Sequence, residues 1–163
     1  MKLIKATLDH FEDYLSIRSE ASNLHWLGYQ SPPDRTSFYE MFSQRIGSSD
    51  RMVFMAIVEH QVVGSLTADY KENSVYIGYS VKEAFRGCRY RSQMIVDLLK
   101  LLKTTSLFPK STVLDVKAWV SEKNTSSHLT AIYGGIQRTD AFEYRKRGKA
   151  SEKYFLYQHK ISQ

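Results

Sequence analysis

The sequence predicts a single α/β domain of the α+β kind, with elements in the order βααβββαβαββ. Three observations carry that expectation. Apolar residues recur at helical spacing in several separate segments, as on helices that bury one face. Residues 53–81 instead follow period two or run continuously apolar, broken only by two short polar turns, which is the pattern of a three-stranded antiparallel meander. Two further strand-like runs, 136–144 and 154–160, flank a basic segment near the end of the chain and read as a hairpin.

The elements follow in order. Leu3 to Ala6 reads as a short strand, and Thr7 can cap a helix in which Leu8, Phe11, Tyr14, Leu15 and Arg18 share a side. After Glu20 the pattern breaks into His25 to Pro33, which reads as an aromatic loop. Asp34 caps a second helix along Phe38, Met41, Phe42 and Arg45 to Ile46, ended by Gly47. Strands Val53 to Val58, Val62 to Tyr70 and Val75 to Val81 are separated by turns at Glu59 to Gln61 and Lys71 to Asn73. A helix carrying Met94, Ile95, Leu98, Leu99 and Leu102 presents a stripe suited to lie on a sheet. Thr112 to Val120 is the next strand, and a short helix runs from Asn124 to Tyr133, closed by Gly134 and Gly135.

Composition narrows the classes of function. A chain of 163 residues is one domain of ordinary size that can bury a core without staples. Apolar residues make up 42% and aromatics 13%, which are globular values; no apolar run approaches the roughly 18 residues needed to cross a bilayer, and no apolar signal segment opens the chain. A soluble, cytoplasmic protein with no membrane partner is expected. Cys88 is the sole cysteine, which excludes an internal disulfide and a multi-cysteine zinc site. No His, Asp and Glu cluster stands at ligand spacing, so no metal is expected. A formal charge of +6 favours anionic ligands without choosing among them. Basic residues are not interleaved with aromatics in several segments, so no nucleic-acid partner is expected.

The most informative stretch is Ile77 to Met94, which reads as a strand, a tight basic turn and a helix start. That order builds a phosphate cradle, because N–H groups of the turn and of the first helical turn lack partners and the helix dipole adds positive charge. Arg86, Arg89 and Arg91 strengthen the field. The segment Arg86-Gly87-Cys88-Arg89-Tyr90-Arg91 resembles the acetyl-CoA loop of the GNAT superfamily of N-acetyltransferases, Arg/Gln-x-x-Gly-x-Gly/Ala, with Ile77-Gly78-Tyr79 before it. It departs from that pattern where Arg89 and Arg91 replace two small residues. Either their side chains swing outward and add phosphate contacts, or affinity for coenzyme A is weakened.

A second motif lies in the right order. Asn124, Ser127 and Gly135-Ile136 reproduce the family spacing at the helix after the fifth strand, and the combination looks most like the branch containing the N-terminal acetyltransferases of ribosomal proteins. The resemblance implies a mixed, mostly antiparallel sheet of six to seven strands with helices on both faces. It also implies acetyl-CoA as co-substrate, bound by Tyr79, Ser80, Val81, Arg86, Gly87, Cys88, Arg89, Tyr90, Arg91, Ser92, Asn124 and Ser127, with the main chain of Tyr79 to Val81 pairing to the pantetheine amides. The acceptor would be a primary amine, on a peptide or protein N-terminus or a small molecule.

No catalytic acid carries over, because the usual Tyr position is Ala131; Tyr133 and Ser80 are the weak candidates. His25, Trp26 and Tyr29 are candidates for an acceptor wall, or for a hydrophobic plug, and Asp69 for an amine contact or a solvent-facing charge. Cys88 reads as an activated thiol or an incidental surface residue, His60 and His128 as a turn residue and an exposed helix residue, and Arg145 to Lys149 as a solvated hairpin tip. A domain of this fold without transferase activity, binding a CoA-like ligand or a protein, is the alternative. Whether the chain is a monomer or a homodimer is open.

Overall fold

The computed structural model describes residues 1–108, 113–147 and 150–162. The start of the expected fifth strand at Thr112, and Gly148 and Lys149 of the hairpin tip, lie outside the described residues. Seven strands form one sheet: β1 (Lys2–Lys5), β2 (Arg51–Val58), β3 (Gln61–Lys71), β4 (Ser74–Val81), β5 (Val113–Ser121), β6 (Gln137–Arg147) and β7 (Ala150–Ser162). Their spatial order is β1-β2-β3-β4-β5-β7-β6, antiparallel throughout except for the parallel pair β4 and β5.

Helices α1 (Phe11–Ser19), α2 (Ala21–Leu27) and α3 (Arg35–Ile46) precede β2; α4 (Tyr90–Thr104) and α5 (Thr125–Tyr133) flank β5 in sequence. One core lies where α4 meets the sheet, with Met94, Ile95, Leu98 and Leu102 against Phe54, Leu66, Val75 and Val116. The other lies on the opposite face, where Phe11, Tyr14, Ile17, Phe38 and Phe42 cover Val53 and Met55. A sheet with apolar side chains on both faces of its central strands needs both layers.

Local chemistry explains most boundaries. Asp34 caps α3 by accepting from the Ser37 N–H at 2.9 Å. Both hairpins of the meander turn through paired left-handed residues, Glu59-His60 and Glu72-Asn73, whose twist suits two-residue loops. Along α4 the predicted stripe is the buried face.

Three expectations need correction. Thr7 introduces a single 3-10 turn, Leu8–His10, before α1, so Leu8 is 47% exposed and Ile17 takes the buried place beside Phe11 and Tyr14. The expected loop from His25 is helical at its start, because α2 restarts after the extended residue Glu20 and ends at Gly28, whose φ of 82° only glycine adopts without strain. The order is therefore βαααβββαβαββ. Finally, the basic tip is not merely solvated: Arg145 belongs to β6, and its guanidinium lies 5.4 Å over the Trp119 ring and 4.8 Å over that of Tyr154.

Candidate active site

The site begins where two central strands part. β4 and β5 pair only at Ser74 with Asp115, Val75 with Val116 and Tyr76 with Lys117, and beyond that they diverge. Ile77 to Val81 form one wall of the resulting cleft and Ala118 to Ser121 the other, around a cavity of about 310 Å³. That is at the small end of the range for ligand sites.

Register decides which main-chain groups face this gap. Lys82 donates to the Val63 carbonyl at 2.9 Å, on the β3 side, and the Asp115 N–H donates to the Asn73 carbonyl at 3.1 Å, across the junction with β5. Main-chain groups of a strand alternate sides, so the N–H and C=O of Ile77, Tyr79 and Val81 point into the cleft, whereas those of Ser80 point to its antiparallel partner Ser65. The expected three-residue pairing edge is thus two residues, Tyr79 and Val81, with Ser80 contributing only its side chain. Asn23 on α2 already reaches the Val81 carbonyl through its amide nitrogen at 3.3 Å.

The Tyr79 hydroxyl donates to the Ser127 carbonyl at 3.2 Å, tying α5 to β4. Burial pushes the Tyr79 phenol up to about 12. Because the unfolded phenol ionises near 10, this residue subtracts stability only as pH rises from about 10 toward 12, on the order of 2 kcal/mol. Urea unfolding of the wild type and Tyr79→Phe across that window should show the variant losing less stability; parallel pH profiles would contradict the assignment.

The basic turn closes one end of the cleft. After the 3-10 turn Glu83–Phe85, Gly87 adopts a φ of +83°, and Arg89 a φ of +60° immediately before α4. The backbone therefore keeps the left-handed geometry that a glycine would supply, at a cost of about 1–2 kcal/mol for a residue with a Cβ. The Arg89 side chain turns outward, 5.3 Å over the ring of Tyr133. Arg86 is held by Glu83 at 3.3 Å and Glu20 at 3.5 Å. Arg91 donates to the Ser126 hydroxyl of α5, and burial lowers its pKa from the ordinary value.

Arg86 and Arg91 line both the cleft and a neighbouring basin of about 210 Å³ between the turn and α5. Gly87, Arg89, Tyr90 and Ser92 line that basin alone, whereas Cys88 is exposed and lines neither.

The other predicted residues divide clearly. Asn124 lines the cleft and caps α5, its side-chain oxygen accepting from the Ser127 N–H at 3.0 Å, so its local task is helix initiation. Ser80 and Ser127 also line the cleft. Tyr133 does not: it stands in the outer basin, 59% exposed. Trp26 joins the cleft wall, but His25 packs edge-on against Trp26 at 4.7 Å and neither it nor Tyr29 lines the cavity. Asp69 is engaged by both Nη atoms of Arg45, the longer contact being 3.0 Å, and lies outside the lining. His128 is half-buried, with Nδ1 at 2.7 Å from the Tyr157 hydroxyl. Among the described residues no group of three His, Cys, Asp or Glu is placed to hold a metal.

Sequence reasoning missed Asn23, Trp119, Ser121, Ser126 and Tyr154 in the cleft wall. For Trp119 a signal existed. In β5 the core phase is Leu114, Val116, Ala118 and Val120, and a tryptophan in the alternate phase, with Asp115 and Lys117, must face something other than the α4 core.

A sheet that splits between two parallel central strands, with a basic turn feeding a helix beside the gap, is the architecture of the GNAT acetyltransferases, and this chain has that fold. No protein-family model matches the sequence. No curated protein matches it either.

Solved structures do match. Ribosomal-protein-alanine N-acetyltransferase from Brucella melitensis superposes at a TM-score of 0.80 and 15% identity, covering 99% of this chain and 100% of that one. A GNAT-family acetyltransferase from Bacillus anthracis gives 0.79 at 14% identity, covering 98% and 93%. A phosphinothricin acetyltransferase from Sinorhizobium meliloti, solved with acetyl-CoA, gives 0.77 at 14% identity, covering 99% and 88%. At such identities the likeness is one of fold.

Proposed function

We propose that the chain is an acetyl-CoA-dependent N-acetyltransferase that acetylates a primary amine by direct attack in a ternary complex. One observation carries this reading: the main-chain N–H and C=O of Tyr79 and the N–H of Val81, which no neighbouring strand takes up, open into a cleft that ends at a basic turn and the start of α4, while the Val81 carbonyl accepts from Asn23. A ligand made of amides at one end and phosphates at the other fits that sequence of groups. The pantetheine amides take the place of a missing strand along β4, and the phosphates lie among the turn N–H groups, Arg86 and Arg91. The likeness to structures solved with acetyl-CoA or coenzyme A supports the same ligand.

The reaction then follows from position. The amine nitrogen attacks the thioester carbonyl carbon, the C–N bond forms, and the oxyanion that develops is met by a main-chain N–H of the cleft wall, that of Tyr79 or Val81. Collapse breaks the C–S bond, and the thiolate takes up a proton while the new amide nitrogen loses one. No carboxylate or imidazole is among the described residues lining the cleft, so the amine sheds its proton to solvent and orientation carries most of the rate.

The test is a thermal melt with acetyl-CoA, desulfo-CoA and ATP at two salt concentrations. At a hundredfold excess over Kd a specific ligand stabilises by about 2.7 kcal/mol, a shift of roughly 5–10 °C for a chain of this size. That shift with acetyl-CoA and desulfo-CoA, absent with ATP, is the expected result. No shift at millimolar acetyl-CoA would overturn the proposal in favour of a domain that has kept the fold without the co-substrate.

A further inference from the structure

We infer that the acceptor is a primary amine carrying a single positive charge on an apolar or aromatic body, and not a polycation; this rests on the transferase reading above. The cleft lining also includes Trp26 and Leu27 of α2, Trp119 of β5 and Tyr154 of β7. Trp26 and Leu27 are each 36% exposed, so apolar surface is open to a ligand there. Arg145 stacks over both Trp119 and Tyr154, which places a cation at the rim of the aromatic wall.

Charge is what discriminates. No carboxylate is among the described residues lining the cleft. Three acids that contact its lining or its rim are engaged there. Glu20 accepts from the Glu83 N–H at 2.8 Å and from Asn23 at 3.2 Å and stands 3.5 Å from Arg86. Glu152 is 5% exposed, receives the Tyr154 hydroxyl at 3.4 Å and lies 3.9 Å from Lys123. Glu143 pairs with Arg145.

A polyamine or an aminoglycoside entering this cleft would bring several ammonium groups to a lining with two arginines, a third stacked at its rim and no carboxylate among the described residues, and each desolvated charge would lack a partner. A single amine loses that penalty, because it reacts as the neutral base. Its apolar body gains contact with two indoles and a phenol. The chemistry is shared by a small arylalkylamine and by a peptide whose first residue is apolar, and the experiment separates the two.

The chain has two tryptophans, and both Trp26 and Trp119 line the cleft, so intrinsic fluorescence reads this site. The titrants are phenethylamine, a peptide amide beginning Phe-Ser, and spermidine, each added to protein with and without saturating desulfo-CoA. The expected result is a saturable change with one or both of the first two at concentrations at least tenfold below any change with spermidine. Tighter binding by phenethylamine assigns the small amine, tighter binding by the peptide assigns an N-terminus. Arg145→Glu, an exchange at a half-exposed position, should bring spermidine at least tenfold closer. Equal or tighter binding of spermidine to the wild type, or no saturation by either monocationic amine, overturns the inference. Melts with acetyl-CoA on the same samples report the transferase reading separately, since a missing co-substrate shift with intact amine binding would sink that reading alone.

Discussion

Removing the two arginines that face both cavities, as Arg86→Ala with Arg91→Ala, should weaken acetyl-CoA at least a hundredfold while a pantetheine fragment without phosphates binds within about threefold of the wild type. Hydrogen bonds to charged groups contribute about 1.5–3 kcal/mol each, so two lost phosphate contacts amount to that factor or more. Geometry selects this pair over Arg89. Arg91 is anchored on Ser126 and Arg86 between Glu83 and Glu20, so both guanidinium groups are positioned before any ligand arrives. Arg89 instead lies on Tyr133, at the outer basin, and its single replacement should cost much less. Isothermal titration at two salt concentrations reads the effect. Equal losses for the intact co-substrate and the fragment would show that the arginines shape the cleft without touching phosphate.

Leu98→Ala should lower stability by about 2–5 kcal/mol, a fall in Tm of roughly 5–20 °C. Leu98 is fully buried in the middle of the α4 stripe, between the layer of Met94 and Ile95 and that of Leu102, so the void left by its side chain has no solvent side into which to relax. The same contact fixes the helix whose first turn forms the cradle. A loss under 1 kcal/mol in urea unfolding would mean that α4 shifts along the sheet to refill the space, and acetyl-CoA affinity should then fall with it.

What was legible in the sequence was whatever depended on neighbours in the chain. The meander needed only two polar dipeptides between apolar runs, and Glu59-His60 and Glu72-Asn73 do turn there. The cap at Asp34, the stripe of α4 and the Gly134 stop are likewise local. α2 was not legible, because its seven residues bury nothing fully and so leave no periodic trace; it stands because Asn23 bridges the Ile17 and Val81 carbonyls.

The cleft divides in the same way. The turn residues could be named, since a basic loop between strand and helix is a local pattern. Trp119, Tyr154 and Arg145 could not be brought together, because their contact depends on β7 lying between β5 and β6, and no periodicity encodes the order of strands across a sheet. Asp69 misled for a related reason: a carboxylate on a central strand looked free until α3 was folded over it and supplied Arg45.

That placement of β7 has a consequence for the order of events as the protein is made. β5 and β6 have no ladder with each other and are joined only through the strand that follows both. While a ribosome works along the chain, β1 to β4 and the basic turn can be complete, yet the wall bearing Trp119 has no antiparallel partner until residues 150–162 emerge. The wall of the cleft is therefore completed only when the last strand has emerged. A nascent chain halted before β7 would expose the unpaired edge of β5, one of the surfaces on which chaperones act.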